Sequence, residues 1–114
     1  MQIPNWVANE KEWLGYCRQI VAAADDYLGG RIGLIECSRV LSKLSFKVHG
    51  EWDEDFVTFR GIDSETDDVP VGEVRELWDE IALERKERSV AVYLDSVSKI
   101  ALTSASNLKA KYGT

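Results

Sequence analysis

One histidine, two cysteines and no stretch of 18 consecutive apolar residues occur in this 114-residue chain. Each shortage excludes something. A lone imidazole, His49, builds by itself neither a catalytic triad nor a zinc site. The short apolar runs leave nothing to span a bilayer. Residues 1–15 carry Asn5, Asn9, Glu10, Lys11 and Glu12, so no signal-peptide core forms there and the expected location is cytoplasmic. Cys17 and Cys37 lack CxxC spacing and sit inside apolar helical patterns. A disulfide between two face-to-face helices is conceivable, but without an export signal two buried thiols are the expectation. The patterns G-x-S-x-G, G-x-x-x-x-G-K and H-E-x-x-H are missing as well. Carboxylates abound, yet a cleft flanked by two of them is hard to build in so short a helical chain. The expectation is a protein that is not an enzyme and uses no cofactor.

What is present is acidity, and it is unevenly placed. The net charge is −6 with a pI near 4.8. Residues 51–80 hold twelve acidic side chains against Arg60 and Arg75, a net −10, which leaves +4 on the other 84 residues. Such a surface repels nucleic acid and anionic membranes and suits a basic protein partner. Yet Trp52, Phe56, Val57, Phe59, Ile62, Val69, Val71, Val74, Leu77 and Trp78 are interleaved with the acids. A solvated tail would not carry them, so the segment reads as ordered. At this length one core forms, and 1–114 is expected to be a single domain.

Apolar spacing predicts an all-α fold, an irregular bundle of three to four main helices over about 9–28, 31–48, 72–78 and 80–111. Trp13, Tyr16, Cys17, Ile20, Val21, Ala24, Tyr27 and Leu28 recur at three and four behind an Asn9 cap, and Gly29-Gly30 stops the run. Leu34, Cys37 or Ser38, Leu41, Leu44 and Val48 give a second stripe, whose end at 45–50 also fits a short extended piece. A helical turn near Asp53–Phe59 and a loop over Gly61–Pro70 are expected in the acidic segment. The last stretch, 79–111, lacks Gly and Pro and reads as one long helix that either projects or breaks around Arg85–Ser89.

Asp63, Glu65 and Asp67 alternate like the first ligands of a calcium loop. An EF-hand would then need glycine sixth and an acid twelfth, where Asp68 and Val74 stand, so no metal is assigned. These acids are expected to order a turn first, with Arg60 and Arg75 as ion partners and Asp67 or Asp68 feeding the next helix start. Trp13 belongs to the core stripe; Trp6, Trp52 and Trp78 lie in or beside linkers. Tryptophan amid charges of one sign is a binding hot-spot signature. Trp52, Asp53, Glu54 and Asp55, flanked by Asp63, Glu65, Asp67 and Asp68, are therefore the candidate partner-binding residues.

The string Gly61-Ile62-Asp63-Ser64-Glu65-Thr66-Asp67-Asp68-Val69-Pro70, with Val71–Arg75 and Trp78 after it and Gly30–Glu36 upstream, resembles a family of small, uncharacterised bacterial proteins. Its specific part is G-I-D-S-E-T-D-x-x-P, within a likeness covering about 28–112. Such small acidic proteins resemble immunity proteins encoded beside bacterial toxins, including those of contact-dependent inhibition. The resemblance implies a partner with a basic cleft, such as a nuclease-type toxin domain. It brings no catalytic residue. The alternatives are a housekeeping interaction or small-ligand module, and a metal protein or small enzyme using the 63–68 loop.

Overall fold

A computed structural model describes residues 2–113, and among them every regular element is helical. Helix α1 spans Glu10–Leu28, where the Asn9 side chain accepts the Glu12 N–H at 3.0 Å. It ends at Gly29 and at Gly30, the latter with φ +74°, a conformation that costs a glycine little. Helix α2 starts at Leu34, later than the spacing suggested, because Arg31 is used in the turn. Its guanidinium bonds Asp25 and Asp26 at 2.8 Å each and pins residues 31–33 across the end of α1. The helix runs to Lys47, so the extended reading of 45–50 is not what forms. His49 then takes φ +55°.

The main correction concerns the acidic third. Glu54–Glu65 is a full helix, α3, in place of a single turn and a loop. Glycine at 61 and the Asp, Ser and Thr content all disfavour a helix locally, glycine by about 1 kcal/mol. Phe56, Phe59 and Ile62 recur every three residues and are almost wholly buried. At roughly 1.5–3 kcal/mol for each such side chain, burial outweighs propensity. The segment 72–78 is in turn less than a main helix: Gly72–Leu77 is a 3-10 turn with no buried residue. Glu80–Tyr112, α4, is continuous through the charged stretch that was a candidate break.

The four α-helices alternate in direction. Cys37 on α2 meets Ala23 on α1; Arg39 and Phe46 on α2 meet Asp63 and Arg60 on α3. Asp55, Thr58 and Asp68 pair with Asn107, Ser104 and Lys86 in descending order along α4. Asp25 and Lys109 close the ring from α1 to α4 at 2.6 Å, while α2 and α4 barely touch across the diagonal. The core gathers Trp13, Cys17, Ile20, Leu41, Phe56, Phe59 and Leu108 with small side chains such as Ala24, Ala101 and Ala105.

Helix α4 outgrows this bundle. Its 33 residues rise about 50 Å, matching the longest dimension of 51 Å in a molecule 51 × 27 × 24 Å. Its fully buried residues all lie from Ala101 onward, and Tyr93, Leu94 and Val97 still pack on the core, so the part that projects as an arm is about 80–92. Segment 66–79 runs back along that arm and is tied to it by Asp68–Lys86 and Arg75–Glu87. Among the described residues no helix is long and apolar enough to cross a membrane.

Gly61 sits on the exposed side of α3 with nothing within 4 Å of the place a Cβ would take. Gly61→Ala is therefore expected to raise stability by about 0.5–1 kcal/mol, read as a higher urea midpoint at unchanged slope. A lower midpoint would show that the glycine is required there.

Candidate interaction surface

Trp52 stands at the junction of α2 and α3, and the local chain holds it outward. Gly50 donates its N–H to the Ser45 carbonyl at 2.7 Å and lies so close to the Phe56 ring that a Cβ would sit 2.6 Å from it. Asp53 caps α3, accepting the Asp55 N–H at 2.9 Å, and pairs with Lys111. Between two fixed neighbours, Trp52 is left 85% exposed. Its one close companion is Arg60, whose guanidinium lies 5.9 Å from the Trp52 ring and 4.9 Å from the exposed Phe46 ring. Arg60 also donates to the Glu51 carbonyl at 2.5 Å. The expected ion partnership of Arg60 with the 63–68 acids does not form.

The four residues at this junction divide by role. Burial alone would raise the Asp53 carboxyl, but the Lys111 ammonium and the amides of Asp55 and Phe56 outweigh it and hold it below the usual range. Asp55 accepts from the Asn107 amide at 3.1 Å. Both are thus engaged in joining α3 to the end of α4. The Trp52 and Glu54 side chains are exposed and make no hydrogen bond or ion pair among the described residues. They remain available to a partner.

The flank at 63–68 is also partly engaged, and its organiser is a residue the sequence reading passed over. Helix α3 ends with Asp63 and Glu65 and has no basic residue in its last turn. Acids there oppose the helix dipole. Arg39 supplies the missing charge from α2. Its Nη2 donates to the carbonyl of Thr66 at 2.9 Å and to that of Val69, and its Nε lies 3.9 Å from Asp63. Thr66, fully buried, returns its hydroxyl to the Ile62 carbonyl at 2.6 Å. Asp68 pairs with Lys86, whose ammonium holds that carboxyl below its usual range. Neither Asp67 nor Asp68 caps the following turn, whose N-cap is Val71. Arg75, the other expected partner, reaches Glu87 instead at 2.9 Å. Glu65 and Asp67 are the exposed acids of this flank without such partners.

No family model, curated protein or solved structure matches this chain. The chemistry of the remaining groups narrows what they do. Cys17 and Cys37 are free and buried. Burial pushes the Cys37 thiol up to about 12, with Asp26 adding to it, and the thiol leans on the Ala23 carbonyl at 3.7 Å. Such a thiol is a poor nucleophile. The His49 ring lies flat on Trp6, centroids 4.0 Å apart and planes 2° apart. No three His, Cys, Asp or Glu side chains among the described residues gather as metal ligands. Asp67 and Asp68 do line a cavity of about 220 Å³ with Arg39, Val69, Val74 and Trp78.

Arg39 was legible in one respect only: it lies seven residues before Phe46, hence on the same edge of α2. Its targets are main-chain carbonyls, which leave no trace in side-chain pattern. Arg39→Ala is expected to cost about 1–3 kcal/mol, because it strands the Val69 carbonyl and takes from the Thr66 carbonyl the second of its two donors, the first being the Val69 N–H at 3.0 Å. Arg39→Lys should recover less than half of that, since an ammonium lacks the planar fork. Equal urea midpoints for Lys and Arg would refute this role.

Asp53→Ala removes a cap and an ion pair, an expected loss of about 1 kcal/mol at pH 7. A lowered carboxyl stabilises the fold fully above its unfolded value, about 3.9, and progressively less as pH falls through the folded value. The gap between wild type and Asp53→Ala should therefore narrow below about pH 4 in a pH series of unfolding curves. A gap constant down to pH 2 would exclude the Lys111 contribution.

Proposed function

We propose that the chain is a non-enzymatic binding protein of the immunity type, which blocks a basic partner through an acidic face. The resemblance around Gly61–Pro70 suggests a bacterial, cytoplasmic setting and a nuclease-type toxin domain as the partner. The observation that carries the reading is Trp52, 85% exposed on a rigid junction beside the free carboxylate of Glu54. An indole offers 150–250 Å² of surface, and burying about 200 Å² of it would yield roughly 5 kcal/mol at 25 cal/mol per Å². A chain that forgoes this within its own core presents a ready anchor.

The mechanism is occlusion. Acids around the anchor draw a basic cleft toward it and raise the association rate, and the indole with Phe46 is then buried and slows departure. The acids of this face differ in use: Glu54, with Glu65 and Asp67 on the flank, meets the partner. Asp53, Asp55, Asp63 and Asp68 hold the surface in shape.

This division changes which substitutions test the proposal. Reversing Asp53 and Asp55 would disturb the α3–α4 junction, so a loss of binding there would be ambiguous. Trp52→Ala removes only the Arg60 stacking and Glu54→Lys only an exposed acid of the first turn of α3, so both leave the α3–α4 junction in place. Co-expressed with a nuclease-type toxin domain encoded beside it, the wild-type chain is expected to protect cells and to bind that domain. Trp52→Ala should weaken binding at least tenfold through faster dissociation, and Glu54→Lys mainly through slower, less salt-dependent association. Both should stay folded, with a melting temperature within about 5 °C of the wild type. Full protection by a folded Trp52→Ala, Glu54→Lys double variant would end this proposal.

A further inference from the structure

The opposite end of α4 carries a second surface that neither the core nor the Trp52 face uses. Every residue of 72–82 is exposed. Four of them are large and apolar: Val74, Leu77, Trp78 and Ile81, with Leu77 at 85% and Ile81 at 63% exposure. A run like this is unusual outside binding surfaces. It is not a frayed end. The Trp78 N–H returns to the Arg75 carbonyl at 3.2 Å, Asp79 caps α4 by accepting the Ala82 N–H at 3.1 Å, and Arg75 is tied to Glu87. The backbone that carries the apolar groups is thus ordered before any partner arrives, which lowers the entropy cost of docking. Val74 and Trp78 also border the cavity with Val69, Pro70 and Val71, so the apolar surface continues inward from the tip.

The charges around this tip say what fits it. Glu73, Glu76 and Glu80 are exposed without ion partners among the described residues and Asp79 adds a fourth acid, against Arg75, which Glu87 neutralises, and Arg85 one turn further along α4. Nucleic acid and anionic lipid are repelled by such a rim. A second copy docking tip to tip would set four acids against four. We propose that the 73–81 tip is a second docking surface, for a protein that presents an apolar cleft rimmed by Lys and Arg. It lies at the far pole from Trp52, since Asp53 and Asp55 meet α4 at Lys111 and Asn107 whereas the tip adjoins Glu80. The two surfaces therefore act independently, and this one does not rest on the immunity reading.

The test uses the full-length chain, labelled with nitrogen-15, and a synthetic amphipathic peptide with Leu on one helical face and Lys on the other. Amide resonances of 72–82 are expected to shift and saturate on titration. Leu77→Ser with Ile81→Ser should weaken that response at least tenfold, and Glu73→Gln, Glu76→Gln, Glu80→Gln should flatten its salt dependence. Trp52→Ala should leave it within twofold. All of these positions are exposed, and circular dichroism checks that the fold persists. Four outcomes would overturn the proposal: no shift at 72–82, an equal response to a Leu/Glu peptide, tip shifts that grow with protein concentration alone, or tip shifts produced by zwitterionic lipid vesicles. The third would mark a self-association surface and the fourth a membrane contact.

Discussion

A single arginine closes the part of the chain that sequence logic leaves open. Helix α3 runs against its own dipole, with Asp63 and Glu65 at its carbonyl end and no cation of its own there. Arg39 reaches across from α2 and takes up the Thr66 and Val69 carbonyls. With those satisfied, Thr66 and Val69 can be buried, and the chain turns at Pro70 toward the arm of α4. The position of segment 66–79, and so of the tip beyond it, follows from that clamp. Hydrogen bonds to a charged donor are worth more than neutral ones, and here they also prevent the Val69 carbonyl from standing alone.

Helix α4 supplies the other constraint. The sequence segregates charge, −10 in one window and +4 elsewhere, and a fold must either tolerate that or pair it. Laying α4 antiparallel beside α3 brings Lys111 to Asp53, Asn107 to Asp55, Ser104 to Thr58 and Lys86 to Asp68. Surface pairs of this kind each add little stability. Repeated in one register, they select that register over its neighbours. They also divide the acids into those engaged in structure and those left exposed, such as Glu54, Glu65, Asp67, Glu73, Glu76 and Glu80.

The helical class, α1, most of α2 and the long last helix were legible because their apolar residues recur at three and four over many turns. The two thiols and Trp13 were placed in the core for the same reason. Helix α3 was hidden because its buried stripe is three residues, Phe56, Phe59 and Ile62, set among residues that favour turns. Its helicity is decided by what packs on it, which a local pattern does not contain. The candidate site was half legible. Composition pointed to the acids around Trp52 but could not tell Asp53 and Asp55, bound to α4, from Glu54, which is free. Nor could it show that 73–81 lies wholly outside the core, since Val74, Leu77, Trp78 and Ile81 look like helix-stripe residues until the arm is seen to project.

Exposed tryptophan and leucine on a small protein ordinarily invite self-association, and the chain meets that hazard with charge. Each of the two apolar surfaces carries its own acids: Glu54 beside Trp52, and Glu73, Glu76, Asp79 and Glu80 around Leu77. Two copies approaching through either surface bring like charges together within a Debye length of about 8 Å, where repulsion is weakly screened. A basic partner meets the same acids as an attraction. Under the proposed function, the charge that opposes contact between copies would thus be the charge that admits a basic partner. The acids left unpaired by α4 would then serve both ends at once.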